Sequence, residues 1–117
     1  MKAEVKSIDL VDFENWDFSP SDPTDFCVDA EAAIGISGED GSDIFSFQIC
    51  SFIWQEKMAD GRAIFARNTL IISEFNERAI KMAVVSLVEK AKGNSWLEMA
   101  KYIGKYLSWE FDDYKSY

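Results

Sequence analysis

Residues 69–91 read TLIISEFNERAIKMAVVSLVEKA, and the periodicity of the chain changes inside this stretch. Up to Phe75 the run Thr69-Leu70-Ile71-Ile72-Ser73-Glu74-Phe75 has the β-branched and aromatic content of a strand. From Asn76 onward the apolar residues recur at spacings of three and four: Ala79, Ile80, Ala83, Val84, Leu87, Val88 and Ala91. That is the stripe of an amphipathic helix. Asn76 is a good N-cap, and Gly93 is expected to stop the helix in a left-handed conformation. Two residues later Ser95-Trp96-Leu97-Glu98 forms a capping box for a second helix. Its stripe is Leu97, Ala100, Ile103 and Leu107, with an end expected near Trp109.

Upstream of this switch the chain reads as strands. Ala63 to Phe75 is one, preceded by a connection from Gln55 to Arg62 with room for a single helical turn. Ile44 to Trp54 is nearly free of charge, as befits a central strand. Phe26 to Ser37 alternates, with Phe26, Val28, Ala30, Ala32 and Ile34 on one face and Cys27, Asp29 and Glu31 on the other. Between these two, Gly38-Glu39-Asp40-Gly41-Ser42-Asp43 is a turn, so the pair predicts an antiparallel hairpin. Residues 2–10 form a first strand whose alternation slips near Ser7, as at a bulge. Residues 11–25 hold both prolines, Pro20 and Pro23, and form an exposed acidic loop. Phe13, Trp16 and Phe18 in that loop either pin it to the core or contact a partner. Strands first and helices last predict one α+β domain over 1–117: an antiparallel sheet of about four strands, with two C-terminal helices packed on one face.

Of the 117 residues 48% are hydrophobic and 15% aromatic, which suffices for a core and argues against disorder. The formal charge is −9, and it is unevenly placed: residues 1–60 carry 14 acids and 3 bases, residues 61–117 carry 7 acids and 9 bases. Such a molecule repels nucleic acid and favours a basic partner, although the same acids also serve simply as a solvated, solubilising face. Cys27 and Cys50 stand in apolar, strand-like surroundings without CxxC spacing. They read as buried free thiols of a reducing compartment, with a cross-strand disulfide as the alternative. The N-terminus alternates charged and apolar residues, unlike a secretory leader, and no apolar run approaches the roughly 20 residues of a membrane span. A cytoplasmic location is expected.

Histidine is absent, which removes the commonest general base and transition-metal ligand. No Walker loop, GxGxxG, GxSxG or HExxH motif occurs. Asp22, Asp25 and Asp29, or Glu39, Asp40 and Asp43, are the acids a hard cation would use, but neither group follows the EF-hand pattern. No two acids are singled out as a glycosidase pair, and the cysteines have no histidine to activate them. The expectation is a protein that docks, with no catalytic residue, metal or cofactor. The closing run Trp109-Glu110-Phe111-Asp112-Asp113-Tyr114 suits an edge strand or tucked tail, with Trp109 and Phe111 packing inward.

Several features then occur in a recognisable order. They are Met1-Lys2-Ala3-Glu4-Val5-Lys6-Ser7-Ile8, Asp22-Pro23 followed by Phe26, and the glycine-acid turn at 38–41. Next come Cys50 and Trp54, Leu70-Ile71-Ile72 before Glu74-Phe75-Asn76, Ser95-Trp96, and the closing run. Together they resemble the immunity protein 8 family of bacterial polymorphic toxin systems, across essentially the whole chain. The resemblance implies a cognate antitoxin that binds a secreted or contact-delivered toxin domain, and it transfers no catalytic or binding residues.

Charge and aromatic content, not the family, nominate the contact residues: Asp12, Glu14, Trp16, Asp17 and Asp22 in the first loop, and Glu39, Asp40 and Asp43 in the turn. The partner expected is a basic toxin domain, a nuclease being a natural candidate, with neither nucleic acid nor membrane bound directly. The alternatives are an acidic adaptor or subunit of a larger complex and, from another class, a carboxylate or metal enzyme.

Overall fold

Small residues on one strand facing large rings on the next set the centre of the molecule. In the computed structural model, which describes residues 1–112, β2 (Cys27–Ile36) and β3 (Asp43–Ser51) form an antiparallel hairpin. Ala32 lies opposite Phe45, Ala30 opposite Phe47 and Val28 opposite Ile49, all buried. Gly38, at φ 86°, makes the turn between them, and the Glu39 N–H donates to the Ile36 carbonyl.

On one side β1 (Ala3–Leu10) pairs antiparallel with β2, placing Ile8 opposite Ala32 and Leu10 opposite Ala30. The register shifts between Val5 and Ser7, as the broken alternation predicted. The other edge of β3 is shared. β4 (Thr69–Ile72) covers Gln48 to Ser51, and β5 (Ser108–Trp109) covers Phe45 and Ser46.

The α+β class is as expected, but the sheet has five strands, and β4 runs parallel to β3. The reversal of direction is absorbed by α1 (Phe52–Ala59), a helix where the sequence reads as strand up to Trp54. Ser51 causes the switch. Its hydroxyl oxygen accepts the Phe26 N–H (3.0 Å) and the Trp54 N–H (3.2 Å), so it both fastens β3 to the chain ahead of β2 and caps α1. The expected strand from Ala63 shortens to Thr69–Ile72 because Asn68 takes a left-handed φ of 51°, and residues 62–68 remain an exposed loop.

α2 (Glu77–Glu89) begins where predicted, with the Asn76 side chain accepting the Ala79 N–H at 3.0 Å. It ends four residues before Gly93, whose φ is not left-handed. That glycine instead makes room for Glu98: a Cβ there would lie 2.7 Å from the glutamate side chain, whose carboxylate accepts the Asn94 N–H. α3 (Trp96–Ile103) is capped by Ser95, as expected, but stops at Ile103, freeing Ser108–Trp109 to enter the sheet. Ile80, Val84 and Val88 of α2 and Met99, Ala100 and Ile103 of α3 join the inward residues of β1, β2 and β3 in one core cluster. Asp113 and Tyr114 of the closing run lie outside the described residues.

Candidate docking surface

The first loop is held down by its rings. A single 3-10 turn at Glu14–Trp16 places Asn15 and Trp16 at positive φ (52° and 63°). Trp16 is only 8% exposed. Its indole N–H donates to the Ile8 carbonyl of β1 at 3.0 Å, and the Lys81 ammonium sits 4.8 Å from the ring centroid. Phe18 packs edge-on to Phe75 (5.1 Å) and Phe26 (6.1 Å), and Phe13 lies 4.9 Å from Phe18. Of the two roles open to these aromatics, the structure supplies pinning, with Trp16 inside and Asp12, Glu14, Asp17 and Asp22 left exposed around it. Asp22 accepts both the hydroxyl and the N–H of Thr24, which hold its carboxyl below the usual range and so keep it anionic. Neighbouring Asp25 is ion-paired with Lys57 of α1.

The turn divides its acids differently. Glu39 and Asp40 are exposed, whereas half-buried Asp43 is committed to structure. One of its carboxylate oxygens accepts the indole N–H groups of both Trp96 (2.7 Å) and Trp109 (2.9 Å), tying α3 and β5 to the start of β3. Asp43→Ala is therefore expected to cost about 2 kcal/mol by stranding two indole donors, and Asp43→Asn roughly half that, as read from urea unfolding midpoints.

The two acid groups do not form one patch. The loop enters β2 and the turn leaves it, so its ten residues hold them apart by about 30 Å. What joins them is the side of the sheet opposite the core. There Asp9, Glu31 and Ser46 stand in one cross-strand row, and Asp29 and Gln48 in the next, all exposed. Asp12 and Asp29 line one hollow with Phe13, Phe18 and Trp54, so the loop acids run on into this side. At the far end the Gly41 carbonyl lies 2.1 Å from where a Cβ on Gly35 would be, so the turn leans over the same side.

Sequence reasoning weighed Asp29 as a cation ligand but named none of Asp9, Asp29 and Glu31 as a partner contact. Alternation showed two of them facing away from the core, but only the register shows that they converge.

Groups that carry chemistry elsewhere are otherwise engaged. Among the described residues no three Cys, Asp or Glu side chains gather as a metal site, and the buried Ser51 hydroxyl is used in capping. Cys27 and Cys50 are directly opposed on β2 and β3 as free thiols, and burial pushes both up, so they stay protonated at neutral pH.

The chain is thus an α+β domain offering a broad carboxylate-bearing sheet face, with Cys50 buried and Cys27 half-buried. More specifically, the chain belongs to the immunity protein 8 family, whose family model matches residues 3–114. No curated protein and no solved structure matches it significantly. Membership implies an immunity protein acting against a toxin. None of the helices among the described residues is long and apolar enough to cross a membrane.

Proposed function

We propose that this chain is the antitoxin of a toxin–immunity pair, and that it neutralises its toxin by binding the toxin domain and occluding it, without turnover of any substrate. The observation that carries this reading is the family match over residues 3–114. The charge distribution adds the character of the partner. With 14 acids against 3 bases in residues 1–60, the partner is basic, and a nuclease, whose cleft must be basic to hold phosphates, fits best. The exposed acids Asp12, Glu14, Asp17 and Asp22 of the loop and Glu39 and Asp40 of the turn steer the encounter, which takes place in the cytoplasm of the producing cell.

Co-expression with the toxin domain encoded beside this chain tests the reading. Protection of the host cell is expected, together with a stable complex whose association slows steeply with salt. Reversing Asp12, Glu14, Asp17 and Asp22 to lysine should weaken binding by about tenfold or more, chiefly through slower association, with the fold intact by circular dichroism. A toxin that kills equally well with and without this chain would dismiss the proposal.

A further inference from the structure

Three carboxylates on the uncovered side of the sheet are placed where the isolated chain gains nothing from them. Asp9 of β1 is directly opposite Glu31 of β2, and Asp29 follows two residues away on the same face. Like charges directly opposed across strands are destabilising. Among the described residues the ion pairs lie elsewhere, at Lys6–Glu4, Lys57–Asp25 and Lys81–Glu77, so none of the three is held in an ion pair, and the cation that shares a hollow with one of them, Asp29, is Arg67.

Beside them the loop 62–68 borders the same side, with Arg67 and Asn68 lining a hollow together with Val11, Asp29, Gln48 and Ser108. Two residues before Arg67 stands Phe65, 100% exposed. A phenylalanine wholly in water does no packing within its own chain, whereas aromatic anchors ringed by polar residues are what centres of interfaces contain.

We infer that the uncovered face of the sheet, centred on Asp9, Glu31 and Asp29 with Phe65 at its border, is the seat of a basic protein surface. The acids of the first loop and of the turn then form its two rims. This assignment rests on the antitoxin reading for the identity of the partner. With both rims included the surface spans about 30 Å along β2, the width of an interface of standard size, which takes roughly 800 Å² from each partner. It also lets two acid groups at opposite ends of a strand serve the same partner. A second copy of the chain would set anionic face against anionic face, and nucleic acid would be repelled likewise. A cationic protein surface relieves the repulsion between Asp9 and Glu31 on binding.

The face with its Phe65 anchor and the acid rim make different kinetic predictions. Surface plasmon resonance against the toxin domain encoded beside this chain should find that Asp9→Thr with Glu31→Thr, and separately Phe65→Ser, each weaken binding by about 30-fold, mainly through faster dissociation. Neutralising the rim with Glu39→Gln and Asp40→Asn should change affinity by less than about fivefold, through association and its salt dependence. The Asp9/Glu31 double variant should melt at or above the temperature of the parent, because it loses a like-charge contact, and this separates lost binding from lost folding.

Binding by the parent with undiminished binding by both the Asp9/Glu31 and the Phe65 variants would overturn the surface while leaving the antitoxin reading intact. No binding by the parent would overturn both. A homodimer in sedimentation that dissociates on Phe65→Ser would hand the face to a second copy and refute the assigned occupant.

Discussion

Gly35→Ala is expected to destabilise the chain by about 3 kcal/mol or more, which few single methyl groups do. Gly35 lies on β2 close to the hairpin turn, with its missing side chain directed to the uncovered side of the sheet. A Cβ there would lie 2.1 Å from the carbonyl oxygen of Gly41 and 3.2 Å from the Cα of Ser42. Both are backbone atoms, so no rotamer change relieves the overlap and the turn has to lift. Lifting it disturbs the next residue of β3, Asp43, and with it the two indole bonds that hold α3 and β5. The control is Gly41→Ala, where an added Cβ meets nothing within 4 Å and the backbone is not left-handed. That variant should stay within about 0.5 kcal/mol of the parent, both read from urea unfolding midpoints.

Phe45→Ala should cost about 4 kcal/mol, near the upper end for a buried ring. Phe45 is 0% exposed and stands in a row with Ile8, Ala32 and Trp109 across four strands. Its ring stacks on Trp109 at 6.4 Å and takes the edge of Trp96 at 6.3 Å. The residue directly opposite it on β2 is Ala32, too short to reach into the vacated space, so much of the cavity stays open. Phe45→Leu should recover more than half of the loss. Equilibrium unfolding followed by tryptophan emission measures both variants, because Trp96 and Trp109 line the hole.

How much of this was readable beforehand depends on the kind of signal. Caps were legible because they rest on local bonds: Asn76 and Ser95 each accept the N–H three residues on, as their sequence neighbourhoods implied. The slip near Ser7 was legible because a bulge shifts the side-chain period itself. Helix α1 was not. Phe52, Ile53 and Trp54 extend an apolar run and look like more strand, while the cue that ends the strand is the Ser51 hydroxyl, whose second partner, Phe26, is 25 residues away in sequence. The parallel course of β4 was hidden for the same reason, since a helix that carries no apolar stripe gives no warning of a crossover.

The proposed docking face was half legible. The acids themselves could be counted, and the loop and turn acids other than Asp25 and Asp43 stand exposed as solvated groups do. The meeting of Asp9 with Glu31 needs the pairing register, and Phe65 reads as part of a strand until Asn68 is seen to break it. Trp16 and Asp43 misled in the opposite sense. A tryptophan in an acidic loop and an aspartate in a glycine turn both suggest contact with a partner, and both are taken up by the chain's own hydrogen bonds.

The divided edge of β3 bears on how the molecule is made. Among the described residues its half at Phe45 and Ser46 is paired with Ser108–Trp109, more than sixty residues further along the chain. On the ribosome that edge stays open, and the Phe45 ring stays uncapped, until Ser108 and Trp109 have emerged. Unfinished chains therefore present a pairing-competent strand to one another, and truncation before Ser108 should give insoluble fragments in place of a smaller working domain.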